Sequence, residues 1–213
     1  MQLPFSESEF LDVFGAYNTA LWPAVFGLWI ASGFVFVRLL GGTKLGRGLT
    51  LLLALHWAWA GVAYHLGFFA SINPAARLFG ALFSVQAALF AKDVLSRTRS
   101  SYAWEYTPRR VSGALLCGYS LVYPILAAWL VEPYPRTPTF GVPCPTTLFT
   151  VGVLMMANRV RLHLLVIPTL WSLIGGSAAI LFGVPTDYVL LATGVFLTVY
   201  LLADLSKRLR NAV

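Results

Sequence analysis

Seven apolar runs, each near the thickness of a bilayer's hydrocarbon core, leave this chain little choice but a bundle of membrane-spanning helices. A helix crossing that core needs about 20 mostly apolar residues. Segments 21–40, 49–69, 75–95, 111–131, 146–158, 162–183 and 188–205 approach that length, the fifth being the shortest. Of the 213 residues, 58% are apolar and only 11% charged, where a soluble domain carries about 25% charged residues. A chain this apolar does not remain disordered, and two cysteines cannot frame a disulfide scaffold of this length.

Charge placement tests the count of spans. With seven alternating helices, thirteen of the fifteen basic residues fall on one side, and only Arg77 and Arg136 on the other. That other side also receives Glu7, Glu9, Asp12, Glu132 and Asp187, five of the eight acids. The positive-inside rule then puts the N-terminus outside and the C-terminus in the cytoplasm. Basic residues scattered singly between apolar runs do not make the continuous water-facing patch that nucleic acid requires, so no nucleic-acid partner is expected. Residues 1–21 contain three acids and no lysine or arginine, unlike a secretory signal, so the first run is expected to stay in the mature protein.

The expected architecture is therefore all-α: one integral membrane domain over 1–213, a polytopic bundle of seven transmembrane helices. A short interfacial amphipathic helix over 1–20 is expected before the first span. Ser6 and Glu9 have capping-box spacing, Phe5 and Phe10 fit a hydrophobic staple, and Phe10, Phe14, Tyr17 and Leu21 share a face. The lipid bilayer is the expected surrounding. The seven tryptophans and the small-residue patch Gly175-Gly176-Ser177 suit close helix packing, within the bundle or against a protein partner or second copy.

Residues 132–145 form the most unusual stretch. Five prolines fall within 13 residues, so neither helix nor paired strand can form there. The following span covers only about 20 Å of a core of about 30 Å, which suggests a re-entrant loop. Non-helical backbone at that depth must be buried in protein or line a water-filled cavity. With Pro145 at the first helical position, Cys144 becomes the N-cap, and Thr146 and Thr147 enter the first turn. A thiol there meets the positive end of the helix dipole, and the free amides could hold an anion.

Three histidines are present. His56 and His65 lie nine residues apart in the second span, on opposite faces of an α-helix, and so do not share a metal ion. His163 opens the sixth span, and only His56 with His163 have the matched depth that axial haem ligation needs. Each histidine is as readily explained by a bond to a neighbouring carbonyl, and Cys144 by a small apolar place in a proline plug. Asn73-Pro74 ends the second span, Asn73 capping the turn. Asp187 follows Pro185 on the same side, where it could join His65 and Cys144 around an outward pocket. The seventh span holds no lysine for a Schiff base, and no phosphate-binding or metalloprotease motif occurs.

The strings LPFSESEFLDVFGAYNTALWP, FFASINPAARLFGALF, PTFGVPCPTTLFT and VIPTLWSLIGGSAAILFGVPTD resemble a bacterial multi-pass membrane family, domain of unknown function 6064. The resemblance runs over nearly the whole chain. It implies a bacterial inner (cytoplasmic) membrane protein with no established activity, cofactor or catalytic residue.

Together these readings favour a non-enzymatic protein that binds or transports a small solute or ion from the extracytoplasmic side. The expected binding residues are His65, Asn73, Cys144, Thr146, Thr147 and Asp187, with no cofactor or metal assigned. Two alternatives stand: a redox or metal-handling protein using Cys144 and His65, and a non-catalytic accessory subunit of a membrane complex.

Overall fold

The computed structural model describes residues 5–97 and 99–211. Within them the regular elements are all helices, and strand-like pairing is limited to isolated bridges. The helices are α1 (Glu7–Leu40), α2 (Arg47–Trp59), α3 (Ala76–Leu95), α4 (Pro108–Leu130), α5 (Pro143–Met155), α6 (Val166–Leu181) and α7 (Tyr188–Arg210). Among the described residues, five stretches are long and apolar enough to cross a membrane: Glu7–Leu40, Arg47–Ser71, Ala76–Leu95, Pro108–Leu130 and Pro185–Arg210. The apolar stretches Pro143–Met155 and Leu162–Ala178 are shorter.

Among the described residues, the interfacial helix expected over 1–20 is not separate from the first apolar run. Helix α1 runs without interruption for 34 residues. Its start is as expected, with Ser6 and Glu9 forming a reciprocal capping box and the rings of Phe5 and Phe10 stacked 6.0 Å apart. Gly15, Asn18 and Thr19 lie between the amphipathic turns and the apolar ones, yet the helix continues through them and through Pro23. The face expected to meet the interface instead buries Phe14 and Tyr17 in the protein. Farther along, Trp22, Phe26, Ile30 and Phe34 make an exposed stripe at four-residue spacing.

Successive helices pack chiefly as neighbouring pairs, α2 with α3, α4 with α5 and α6 with α7. Glycines let the pairs approach. A Cβ on Gly152 would stand 2.6 Å from the Gly113 carbonyl oxygen, and one on Gly176 would stand 2.6 Å from the Leu191 backbone. The Gly175-Gly176-Ser177 patch thus serves packing of α6 on α7.

The connections alternate between two ends. At one end the loops after α1, α3 and α5 meet. Leu45 and Tyr102 exchange backbone hydrogen bonds of 2.8 and 2.9 Å, and Asn158 N–H donates to the Ser101 carbonyl at 2.8 Å. Arg161 pairs with buried Asp93 at 2.9 Å, and the second Asp93 oxygen accepts from Ser100 N–H at 3.0 Å. Arg109 caps the end of α5 by donating to the Met155 and Ala157 carbonyls, where a cation also suits the helix dipole. Burial between these loops pushes the Tyr102 phenol up to about 12, so it stays protonated beside the Thr50 hydroxyl at 3.1 Å. At the opposite end, Phe5 and Phe10 of the α1 start stack on Phe182 after α6, and Phe5 meets Phe69 after α2 edge-on. The site is at this aromatic end.

Candidate functional site

Residues 131–142 bring the chain from α4 into the bundle. The turn opens at the surface and then buries Thr137, Thr139, Phe140 and Val142. Such backbone requires partners for its polar groups. Asn18 of α1 supplies them, its side-chain amide donating to the Pro135 carbonyl at 2.6 Å and the Thr137 carbonyl at 2.8 Å, while Thr139 Oγ1 donates to Asn18 Oδ1. Gly141 adopts φ +91°, and a Cβ there would press 2.8 Å from the Tyr17 hydroxyl, which accepts a 2.7 Å bond from the Trp59 indole. Position 141 therefore needs glycine for both conformation and space. Phe140 ends this descent against His56 and Phe149.

Helix α5 starts two residues earlier than expected. Val142 is the extended N-cap and Pro143 the first helical residue, so Cys144 lies within the first turn rather than capping it. Pro143 has the same preset φ as Pro145 and takes the position first. Two of the first three helical residues then lack an N–H, and Thr146 N–H is already bonded to the Val142 carbonyl at 3.3 Å. The cluster of free amides expected to hold an anion does not form. Thr147 Oγ1 donates back to the Pro143 carbonyl at 2.8 Å, and Thr146 is fully buried behind it.

His65 owes its placement to a departure from α-helical geometry. After Trp59 the second span continues as a π-helix, Ala60–Leu66, closed by Gly67 N–H donating to the Val62 carbonyl at 3.0 Å. The steady rotation that set His56 and His65 on opposite faces does not hold across it. Such π segments are rare and occur often at functional sites. His56 is wholly buried, with Ser32 Oγ 3.1 Å from its Nε2. His163 is exposed among the basic loops at the far end, so the structure does not join it to His56. His65 is also wholly buried, yet neither ring nitrogen has a hydrogen-bond partner. Its neighbours are rings: Phe83 at 4.8 Å, Trp171 at 5.1 Å and Phe79 at 5.7 Å between centroids.

A cavity of about 300 Å³ opens beside it. His65, Asn73, Cys144 and Asp187 all line this cavity, together with Tyr123 and Trp171 and the rings of Phe5, Phe10, Phe14, Phe69, Phe79 and Phe182. Four of the six expected binding residues therefore converge. Thr146 and Thr147 do not, because the earlier start of α5 turns them into the packed interior. Asn73 performs its expected turn, its Oδ1 accepting from Ala75 N–H at 3.1 Å, and stands at the cavity wall.

Asp187 stands at the N-cap position of α7 but makes no capping bond. Its carboxyl group turns inward, accepting a 2.7 Å bond from the Tyr123 hydroxyl and lying beside the Cys144 thiol. Among the described residues no lysine or arginine lines the cavity, and Asp187 takes part in none of the described ion pairs. Both cysteines are free. No group of three histidine, cysteine, aspartate or glutamate side chains suited to a metal ion occurs among the described residues.

Tyr123, Trp171 and Asn18 are absent from the sequence-derived site. Asn18 was open to discovery as an amide inside an amphipathic apolar face. Tyr123 and Trp171 carry no such signal, since aromatic residues are ordinary in apolar spans.

No curated protein and no solved structure matches the chain. The model of a family of unknown function, DUF6064, matches residues 7–211, and the chain belongs to that family.

Proposed function

We propose that this is a polytopic membrane protein of seven membrane-embedded helices that binds a small solute from the extracytoplasmic side. The stripe Trp22, Phe26, Ile30, Phe34, with similar exposure of Leu115, Val122, Ile125 and Trp129, supports lipid contact, since water would penalise so large an apolar surface. The connections after α1, α3 and α5 with their flanking helix ends, taken with the end of α7, carry thirteen of the fifteen basic residues, which supports a cytoplasmic placement of that end. The aromatic end then faces outward, and the short α5 with its buried lead-in is a discontinuous element of the sort that forms solute sites.

One observation carries the binding role: His65 is buried with both nitrogens unbonded, against a cavity that also receives Cys144 and Asp187. A buried polar group without a partner costs stability, and its presence at a cavity wall is explained by a ligand that completes it. A volume of about 300 Å³ admits a molecule of one or two rings.

Native mass spectrometry of the protein extracted gently from its own membrane tests this reading. The expected spectrum contains a small organic molecule of defined mass, one per chain, that is lost after Cys144 is alkylated. A spectrum that contains lipid alone, unchanged by alkylation, would overturn it.

A further inference from the structure

We infer that the solute taken by this cavity is an organic cation, an ammonium group carried on a compact apolar body. The inference rests on the binding role above and deepens it. Its starting point is charge. Asp187 is 7% exposed, lines the cavity, and has no basic partner among the described ion pairs, while no lysine or arginine is present in the cavity wall. A buried carboxylate is strongly disfavoured without a compensating cation. An anionic solute would add a second negative charge with nothing to balance it.

The walls supply the other half of an ammonium site. Rings of Phe10, Phe69, Phe79 and Trp171 surround the space, and ring faces attract a desolvated cation placed within about 6 Å. Aromatic cages that enclose a quaternary or methylated ammonium combine such faces with an acidic side chain. His65 completes the description. Imidazole offers one acceptor nitrogen, and both of its nitrogens are unbonded at the cavity wall. An N–H of a primary, secondary or tertiary ammonium would satisfy it, and an apolar solute would not.

The ammonium could arrive on a free solute or as a lipid headgroup, and the lipid composition of the test distinguishes them. The full-length protein is placed in discs of phosphatidylglycerol alone, which contains no ammonium. Alkylation of Cys144 by N-ethylmaleimide then reports occupancy, since Cys144 lines the cavity and Cys117 is wholly buried elsewhere. Benzyldimethylammonium, whose N–H can reach His65, is compared with its uncharged isostere isobutylbenzene and with benzenesulfonate. The expected result is protection of Cys144 by benzyldimethylammonium alone, weakened roughly 30-fold or more by Asp187→Asn. If discs containing phosphatidylethanolamine protect Cys144 with no added solute, the ammonium comes from lipid. Protection by isobutylbenzene equal to that by benzyldimethylammonium, or by benzenesulfonate, would overturn the cation assignment and leave the binding site standing. Absence of protection by all three solutes, in both kinds of disc, would overturn the binding role as well. The isostere comparison uses the unaltered protein, so a folding defect in the variant does not affect it.

Discussion

The Tyr123 hydroxyl donates a 2.7 Å hydrogen bond to Asp187 Oδ1, tying α4 to the turn between α6 and α7. Asp187 forgoes capping α7 to make this contact. A local preference is thereby given up in favour of an inward-facing carboxyl group, the pattern expected where function rather than folding selects the residue.

Tyr123→Phe removes the donor and keeps the ring. Both groups are buried, so the oxygen left behind loses its partner without gaining water. The expected loss is about 1–3 kcal/mol, measured as a lower unfolding free energy in detergent or discs. An unchanged stability would mean that the bond is dispensable and that Asp187 is satisfied otherwise.

His65 and His56 are expected to behave oppositely when replaced by leucine. His56 Nε2 is within hydrogen-bonding distance of Ser32 Oγ, so His56→Leu removes a buried hydrogen bond and lowers stability, although the Ser32 hydroxyl keeps its bond to the Leu28 carbonyl. His65 bonds nothing in the protein, so His65→Leu leaves the unfolding midpoint equal to wild type or higher while solute binding falls. A clear destabilisation by His65→Leu would identify His65 as a structural residue.

Asn18→Ala withdraws the amide that holds the Pro135 and Thr137 carbonyls. The buried Thr137 carbonyl left without a partner costs about 1–3 kcal/mol, and the exposed Pro135 carbonyl can turn to water. Hydrogen exchange across residues 135–142 should quicken selectively, and Cys144 should alkylate faster as its lead-in loosens. Exchange that rises uniformly over the whole chain would instead indicate global unfolding.

Two glycine substitutions separate close packing from mere conformational preference. Gly152→Ala places a methyl 2.6 Å from the Gly113 carbonyl and the Cys117 sulfur, for an expected loss of about 1–3 kcal/mol. Gly27→Ala meets nothing within 4 Å and sits inside α1, so it should be neutral or raise stability by up to about 1 kcal/mol. Thermal unfolding of the two variants side by side checks both.

Much of this fold is legible in the residues because a long helix with an apolar surface leaves an unbroken apolar run in the sequence. Apolar length and the position of arginine and lysine suffice to mark out the helices, and the five prolines of 132–145 announce the break before α5. The convergence of His65, Asn73, Cys144 and Asp187 was legible for a related reason: all four are polar residues at the same end of their segments, and in a bundle that end is one small region. Three features were not. The π-helix of Ala60–Leu66 lies where the second apolar run packs on α3, with Gly61 against Gly80, and no local preference in the sequence marks it. The start of α5 was misplaced because Pro143 and Pro145 are equivalent as sequence signals, and tertiary contacts of Val142 and Phe140 decide between them. The continuity of α1 was hidden by its capping box, which marks where a helix begins and says nothing about where it ends.

The side of the membrane from which Cys144 can be reached tests the central claim most directly. Intact cells carrying the protein would be treated with a small membrane-impermeant methanethiosulfonate bearing a trimethylammonium group. The account predicts modification of Cys144 in intact cells, with Cys117 spared. Modification that occurs only in inverted vesicles would contradict both the orientation and the outward-facing cavity.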